Sequence, residues 1–300
     1  MDQHADTDQG ANDKNSFKII VKNSAPSSLH EGNQPLYVAI SLTFVILFNG
    51  LPLPVKMPPK PAKRKVREVK TSIISSMAKS LRILLGGATG RMGQAVTGLA
   101  ENDRRFTIIG GIHRDCKNPG PFLKKTDIII DFSLPGPSLN LLRAAAKAKI
   151  PFVTGTTGFS KAQTAEIKNF SKRIPILASP NMSPGMNLLF ALARMASNAF
   201  PLYDVSVFEI HHTKKKDAPS GSALQLIKAL ERKRVPASSL RLGTVVGDHT
   251  VHLAGPDERI ELTHRAQDRS VFARGALEAA RWLKTRRRPG LYSMANVLGL

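Results

Sequence analysis

The chain has 300 residues, with 44 Lys plus Arg against 22 Asp plus Glu, a formal net charge of +22, 42% apolar residues and 6% aromatic residues. This apolar fraction is enough for a packed core, so a chain that is disordered throughout is excluded; the length suits two domains, or one domain with an appendage. A single Cys excludes a disulfide framework and a cysteine-based zinc site, and it favours a reducing, cytoplasmic compartment.

The positive charge lies mostly on the second part of the chain. Residues 1–76 contain 10 Lys plus Arg and 6 Asp plus Glu, which leaves 34 and 16 on residues 77–300. A field of one sign suits anionic ligands, nucleic acid among them, but a basic surface without a specific ligand is the open alternative. With one Trp and three Tyr, stacking surfaces for single-stranded nucleic acid are few.

Residues 1–76 have no pattern typical of a catalytic domain. Residues 1–35 are rich in Asp, Asn, Gln, Ser and Gly, which predicts a disordered tail. The apolar run Leu36–Phe48 has 13 residues and is followed by two prolines, so it is too short for a spanning helix; a membrane anchor is the less favoured alternative. The basic, proline-containing segment Lys56–Lys70 predicts a linker, with nuclear targeting, a nucleic-acid arm or a contact to acidic lipid as alternatives.

A strand, a glycine turn and a helix follow one another from residue 81. The apolar run Leu81–Gly86 predicts a buried strand, and Gly87, Gly90 and Gly93 follow it before a helical segment. Glycines at this spacing allow a tight turn, close approach of the backbone to a pyrophosphate, and close packing of helix on strand. The pattern predicts dinucleotide binding, with an ordinary strand-to-helix turn as the alternative.

The residues after the second strand bear on the choice of cofactor. The strand predicted at Phe106–Ile112 ends where an acidic residue would bind the ribose 2′-hydroxyl of NAD. Here His113 and Arg114 come first and Asp115 follows. Because an Arg at this point can bind a 2′-phosphate, NADPH is favoured, and NADH stays possible.

Further strands and helices alternate along the chain. Strands are predicted at Asp127–Phe132, Pro151–Val153 and Ile174–Ala178, with a helix at Leu139–Ala148. We therefore expect an α/β fold with a parallel sheet, whose loops of small residues meet at the carboxyl ends of the strands, where ligands bind.

The segment after residue 203 combines several groups that suit catalysis. The strand predicted at Asp204–Ile210 leads to His211 and His212, which point to opposite faces if the chain stays extended. Ser220 suits the N-cap of a helix at 223–230, and the N–H groups of Gly221 and Ser222 would then be free to bind a carboxylate. With the three lysines at 214–216, this predicts a general acid beside a carboxylate site; a basic surface loop with an ordinary cap is the alternative.

Several motifs together resemble one enzyme family over residues 78–300. They are GGATGRMG, DFSLPGPSLNLL, GTTGFS, SPNMSPGMN, EIHHTKKKDAPSGSA, GDHTV and RIELTHRAQDR. In this order they resemble the 4-hydroxy-tetrahydrodipicolinate reductases, also called dihydrodipicolinate reductases, of the lysine and diaminopimelate pathway. The histidine-lysine-DAPSG motif is specific, whereas many dehydrogenases share the glycine turn.

The resemblance implies a Rossmann-type doubly wound parallel sheet domain plus a smaller α+β domain with a mixed sheet. The first would comprise residues 77–182 and 269–300 and bind the dinucleotide; the second, residues 183–268, would bind substrate and form a homotetramer. It also implies an oxidoreductase that reduces its small dicarboxylate with NAD(P)H and loss of water. We expect no metal, no membrane partner, and no nucleic-acid partner for residues 77–300.

The site residues that the resemblance implies fall into three groups. His211 would be the general acid with Lys215 as its partner, while His212, Gly221 and Ser222 would bind substrate. The implied cofactor residues are Gly87, Ala88, Thr89, Gly90, Arg91, Met92, Gly93, Arg114, Gly155, Thr156, Thr157, Ser179, Pro180, Asn181 and Met182.

This sequence departs from the family pattern at three places. His113 replaces an acidic residue, Ser222 replaces a Thr, and the segment 116–125 is short.

Two other functions stay open: a different NADP-dependent reductase of a small dicarboxylate, and a dinucleotide-sensing protein that binds nucleic acid.

Overall fold

The computed structural model describes residues 79–300, which belong to one compact unit. The tail, the apolar run and the basic linker expected within residues 1–76 lie outside the described residues. Within the described part, every helix is too short or too polar to cross a membrane.

Ten strands and eight helices make up the described chain. The strands are β1 Leu81–Gly86, β2 Phe106–Ile112, β3 Ile128–Asp131, β4 Phe152–Thr154, β5 Pro175–Ala178, β6 Asp204–His211, β7 Ala237–Arg241, β8 Gly247–Ala254, β9 Arg259–Ala266 and β10 Gly290–Tyr292. The helices are α1 Arg91–Glu101, α2 Gly120–Leu123, α3 Pro135–Ala148, α4 Lys161–Phe170, α5 Pro184–Ala199, α6 Gly221–Ala229, α7 Ser270–Lys284 and α8 Met294–Leu298.

The first sheet is parallel and has six strands in the order β10-β5-β4-β3-β1-β2. Side chains from one face of β1 and β3, such as Ile83 and Ile130, pack with α1, α7 and α8, while those from the other face, such as Leu84 and Ile129, pack with α3 and α4. Both faces are therefore covered, which explains the continuous apolar runs of these strands. The expected doubly wound, Rossmann-like sheet is confirmed, and its strand order reverses between β1 and β3, where such sheets bind ligands.

The second sheet is mixed and has four strands in the order β7-β6-β8-β9. β6 pairs parallel with β7 and antiparallel with β8, and β8 pairs antiparallel with β9. Helices α5 and α6 pack on one face, where Leu189 and Leu226 meet Val207, Val251 and Leu253. The mixed sheet that the resemblance implied is thus present.

Two helices begin earlier than the sequence predicted. Helix α6 begins at Gly221, two residues before the predicted start at Ala223. The sequence predicted a start at Leu139, but α3 begins at Pro135 with a second proline, Pro137, in its first turn. Proline suits the first turn because its missing N–H would have no intrahelical acceptor there. The predicted ranges of β1 and β2 are confirmed, and those of β3, β4, β5 and β6 differ from the observed ones by one residue at one or both ends.

Candidate active site

The glycine turn between β1 and α1 has the tight geometry that its sequence predicted. Gly87 has a φ of +73°, and a Cβ built on it would lie 2.3 Å from the carbonyl oxygen of Phe132. A Cβ on Gly93 would lie 2.3 Å from the carbonyl oxygen of Gly87. Gly90 donates its N–H to that same carbonyl at 3.0 Å. Any side chain at residues 87 or 93 would therefore displace the backbone of the turn.

The first turn of α1 presents unpaired backbone donors. Its N-cap, Gly90, has no side chain to cap the helix, so the N–H groups of Arg91, Met92 and Gly93 have no intrahelical acceptor. Donors at a helix N-terminus, together with the helix dipole, favour a phosphate group. The turn therefore fits the pyrophosphate of a dinucleotide, with Ala88 and the exposed Thr89 at its tip.

Arg114 lies at the tip of a tight turn that follows β2. His113 and Cys116 pair across this turn, which leaves Arg114 exposed. Among residues 79–300, Arg114 forms no ion pair, whereas Asp115 approaches the ring of His113 at 3.9 Å. The guanidinium group is therefore available to an anion near the end of β2.

A buried carboxylate fixes the loops at the carboxyl ends of β3 and β4. Asp131 is fully buried and accepts hydrogen bonds from four hydroxyl groups, namely Ser133 at 2.5 Å, Ser138 at 2.6 Å, Thr154 at 3.0 Å and Thr156 at 2.8 Å.

In the loop after β4, Gly155 lies against the ring of Phe132, since a Cβ on Gly155 would be 2.2 Å from that ring. Thr156 is thus held inward, while Thr157 is exposed.

The loop after β5 joins the first sheet to the second. Ser179 and Met182 are buried, and Pro180 is exposed. Asn181 donates a hydrogen bond from Nδ2 to the hydroxyl of Ser222 at 2.9 Å. The structure therefore brings a predicted cofactor residue into contact with a predicted substrate residue. Met182 packs in the core of the first sheet, so it can meet a ligand only through its backbone.

His211 is buried in a pocket of polar groups at the end of β6. Its Nδ1 lies 3.4 Å from Oε2 of Glu209, and its ring meets that of His249 edge to face, with ring centres 5.0 Å apart. Burial lowers the pKa of His211, an effect that the carboxylate of Glu209 opposes and that Lys215 and Arg241 reinforce. Burial by itself would raise the pKa of Glu209, but hydrogen bonds from Ser220 and Ser239 leave that pKa below its ordinary value.

Lys215 lies close to this pocket, in the loop that follows β6. Its Nζ is 2.8 Å from Oδ1 of Asp217 and 2.9 Å from Oδ2. Arg241 shapes the loop from β7, since it donates to the carbonyl oxygens of Lys215, at 3.2 Å, and of Asp217. Lys215 therefore contacts a carboxylate of its own loop, and its positive charge lowers the pKa of His211.

His212 is partly exposed whereas His211 is buried, a difference that agrees with the alternation expected along an extended segment. Burial lowers the pKa of His212, and the positive charges of Arg269, Lys215 and Arg91 lower it further. The positive charges of Arg91, in the first turn of α1, and of Arg269, at the start of α7, thus act on a predicted substrate residue. The positive potential favours a substrate that carries negative charge.

The N-terminus of α6 is built as expected. The hydroxyl of Ser220 accepts the N–H of Ala223 at 3.1 Å, so Ser220 is the N-cap. The first two helical N–H groups, those of Gly221 and Ser222, have no intrahelical acceptor. Gly221 is exposed, and a Cβ there would meet no other atom of residues 79–300 within 4 Å, so the described part of the chain leaves these donors open to a ligand.

Three side chains of the pocket could in principle hold a metal ion. Glu209, His211 and His249 each offer an atom, and these atoms lie within 4.8 Å of one another. However, Arg241 already approaches Glu209 at 3.4 Å, and Lys215 adds a second positive charge beside His211. These cations oppose the entry of another positive ion, so the cluster fits proton transfer better than metal binding.

Several residues of the candidate site were not identified from the sequence. They are Glu209, His249, Arg241 and Arg269, together with Asp131 beneath the loops of the first sheet. One signal was available for Glu209: it lies between Val207 and His211 on the buried face of an apolar strand, and a charged residue there must have polar partners. The others depend on contacts between distant parts of the chain.

Comparison with known proteins identifies the family. The model "Dihydrodipicolinate reductase, N-terminus" matches residues 81–182, and "Dihydrodipicolinate reductase, C-terminus" matches residues 185–298. The 4-hydroxy-tetrahydrodipicolinate reductase of Aquifex aeolicus is 41% identical over 265 residues, covering 74% of this chain and all of the relative. That of Alkaliphilus oremlandii is 38% identical over 239 residues, covering 73% and 98%.

A solved structure shows the same fold. The dipicolinate-bound dihydrodipicolinate reductase from Paenisporosarcina sp. TG-14 superposes with a TM-score of 0.61 at 20% identity, covering 71% of this chain and 97% of that one. The fold, the two matching family models and the similarity to curated reductases over almost their full length agree. The chain belongs to the dihydrodipicolinate reductase family.

Proposed function

We propose that this protein uses NAD(P)H to reduce 4-hydroxy-tetrahydrodipicolinate to tetrahydrodipicolinate, with loss of water, in lysine and diaminopimelate biosynthesis. The observation that carries the proposal is the hydrogen bond from Asn181 to Ser222, 2.9 Å long. It joins the loop proposed to contact the cofactor to the helix terminus proposed to bind the substrate. Cofactor and substrate would therefore meet at one place.

The substrate carries two carboxylates, and the site offers groups for both. One carboxylate would accept the N–H groups of Gly221 and Ser222 and the hydroxyl of Ser222, at the positive end of α6. The other would lie near His212, among the charges of Arg269 and Arg91. The solved relative binds dipicolinate, an aromatic ring with two carboxylates, which fits the same arrangement.

The reaction needs a proton at the ring nitrogen as well as a hydride at carbon. His211 would supply that proton or, as imidazolium, stabilise the charge that develops there. Lys215 would be its cationic partner, held close by the loop that Arg241 fixes. Because His211 is buried, its proton would be directed to the bound substrate and not to bulk water.

The residues of the first sheet suit a nicotinamide dinucleotide. The free donors of Arg91, Met92 and Gly93 would bind the pyrophosphate, and the backbone at residues 155–157 and 179–182 would surround the nicotinamide. When bound, the dihydronicotinamide supplies the hydride. Arg114, which is exposed after β2, would bind a 2′-phosphate, so we propose NADPH as the preferred cofactor.

The two sheets would be two functional domains. Residues 77–182 and 269–300 would bind the dinucleotide, and residues 183–268 would bind substrate and form a homotetramer. The outer face of the second sheet supports such an assembly, because Phe208 and Ile210 belong to none of the three buried clusters and Leu240 beside them is 49% exposed. We propose that other copies of the chain cover this face, and that the enzyme is cytoplasmic.

The test is an NADPH-oxidation assay with substrate generated in place by the preceding enzyme of the pathway. The full chain should oxidise NADPH, and His211→Ala and Lys215→Ala should each lower kcat by about 100-fold or more. Lys216→Ala removes a neighbouring exposed lysine and should leave kcat almost unchanged. Normal turnover in both His211→Ala and Lys215→Ala would contradict the proposal. Assays with a panel of other small dicarboxylates would show whether the protein is a different reductase of the same kind.

A further inference from the structure

The carboxylate of Glu209 lies between the proposed proton donor and the proposed carboxylate site. Its Oε1 accepts hydrogen bonds from the backbone N–H of Ser220 at 3.0 Å and from the hydroxyl of Ser239 at 2.7 Å. Its Oε2 lies 3.4 Å from Nδ1 of His211 and 3.6 Å from Nε2 of His249. The side chain is completely buried, so every one of its partners belongs to the protein.

We propose that Glu209 is a positioning residue that orients His211 and fixes the N-terminus of α6 through the same carboxylate. This rests on the proposed function, because it assigns a role in that reaction. The chemical basis is the pairing of an imidazole with a buried carboxylate, which fixes the ring orientation and tautomer and stabilises the protonated ring.

The unpaired atoms of the pocket support this role. Oε2 of Glu209 and Nδ1 of His211 are both buried, and neither forms a hydrogen bond within the described residues. Buried polar atoms of this kind normally have partners, and a rotation of the His211 ring that closes the 3.4 Å gap by a few tenths of an ångström would pair the two. When Nδ1 of His211 carries a proton that faces Glu209, the other ring nitrogen, Nε2, is the atom that can donate a proton in the reaction.

The opposite edge of the His211 ring lies beside a glycine. A Cβ built on Gly247 would lie 3.0 Å from Nε2 of His211 and 3.3 Å from its Cδ2. Since Gly247 has no side chain, the ring can approach this part of β8 closely. Together, Glu209 and Gly247 determine where Nε2 points.

The charges around His211 make Glu209 its main source of stabilisation as imidazolium. The groups that face it are Glu209 on the same strand, Lys215 and Asp217 in the following loop, Arg241 on β7 and His249 on β8. Lys215 and Arg241 oppose a further positive charge, and His249 is kept neutral near pH 7 because burial lowers its pKa to about 4. Asp217 also favours the imidazolium, but it is exposed and paired with Lys215.

The carboxylate of Glu209 also fixes the position of α6, the helix whose N-terminus is proposed to bind substrate. Ser220, whose N–H it accepts, is the N-cap of α6 and also contacts Nε2 of His249 through its hydroxyl at 3.2 Å. The N–H groups of Gly221 and Ser222 follow immediately along the chain. One side chain therefore sets the separation between the proton donor and the donors proposed to bind the substrate carboxylate.

The experiment compares Glu209→Gln with the wild-type chain. The amide keeps an oxygen for Ser220 and Ser239 but removes the charge, so the pKa of His211 should fall. We expect kcat to fall at least about 10-fold, and the alkaline limb of its pH profile to move to lower pH. In NMR spectra, the ring protons of His211 should titrate at lower pH in the variant, whether or not substrate is present.

Two control variants separate this role from general loss of stability. Ser239→Ala removes one hydrogen bond to Glu209 without removing charge, so it should leave the pH profile in place. Glu166→Gln makes the same chemical change in a surface pair with Arg143 and should alter neither readout. If Glu209→Gln fails to fold, Glu209→Asp is the second variant. Its shorter side chain places the carboxylate farther from His211, so the pKa of His211 should fall in this variant too, but by a smaller amount.

The outcomes are distinct. An active wild type whose pH profile and His211 titration are unchanged by Glu209→Gln overturns the role of Glu209 and leaves the proposed function standing. A wild type that does not oxidise NADPH with this substrate overturns the proposed function, and with it the catalytic role. A shifted profile that Glu209→Asp partly restores supports both.

Discussion

Gly93 in the first turn of α1 lies so close to Gly87 that a Cβ on Gly93 would be 2.3 Å from the carbonyl oxygen of Gly87. This contact packs the helix against the turn that precedes it. It also sets the direction of the free N–H groups of residues 91–93, because they belong to the same helical turn. The geometry of the proposed phosphate site therefore depends on the absence of a single methyl group.

Gly93→Ala should destabilise the fold and weaken NADPH binding together. The new Cβ would overlap backbone oxygens of Gly87 and Ala88, which cannot move without opening the turn, so we expect a loss of about 2 kcal/mol or more. Gly98→Ala is the matched control in the same helix, since within the described part of the chain a Cβ there meets nothing within 4 Å. It should raise the free energy of unfolding by about 0.5–1 kcal/mol. Urea unfolding and NADPH titration measure both effects, and equal stabilities would contradict the packing argument.

Ser222→Ala should raise KM for the dicarboxylate roughly tenfold or more, since one hydrogen bond to a charged group is lost. It also removes the acceptor of Asn181, so the loop after β5 loses its link to α6. Ser222→Thr keeps the hydroxyl and should behave like the wild type. Steady-state kinetics with all three forms test this, and a KM that is the same in all of them would show that the hydroxyl does not contact substrate.

The glycine turn and the parallel strands could be predicted because their signals are local. A buried strand such as β1 requires a run of apolar residues, and a positive φ at Gly87 requires glycine, so each is visible within a few residues. The capping role of Ser220 is also local, because an N-cap binds the N–H three residues ahead.

The polar pocket could not be predicted in this way. Glu209 faces His249 only because β6 and β8 pair in one antiparallel register, and 40 residues of chain separate the two. A shift of one residue in that register would turn His249 to the other face of the sheet. Likewise, Asp131 meets Thr154 and Thr156 because β3 and β4 are neighbours in the sheet. The residues missed from the sequence are those that tertiary pairing brings together.

Arg114→Ala should weaken NADPH binding roughly tenfold or more and leave NADH binding almost unchanged, because only NADPH carries the 2′-phosphate that the guanidinium would bind. Lys117→Ala is the control: it removes one exposed positive charge from the same loop and should have little effect on either cofactor. Fluorescence titration of both nucleotides gives the two dissociation constants. Equal weakening of NADPH and NADH would show that Arg114 does not distinguish them.

The buried histidine His249 links stability to pH. Its ordinary pKa is 6.5, and burial lowers the pKa to about 4 in the folded chain. In this window the unfolded chain binds the proton more readily than the folded chain, so the free energy of unfolding falls as the pH falls. The full effect corresponds to about 3 kcal/mol, lost progressively between the two pKa values.

His249→Gln should flatten this part of the pH dependence, because the amide can still reach Ser220 but does not titrate. We expect the wild-type chain to lose stability between pH 6.5 and pH 4 more steeply than the variant. His252→Gln is the matched control, since His252 lies on the same strand but faces the other side of the sheet and is partly exposed. Urea unfolding across the window gives the slopes. Parallel curves for the wild type and His249→Gln would mean that His249 takes up its proton in the folded state near its ordinary pKa, which its burial beside His211 argues against.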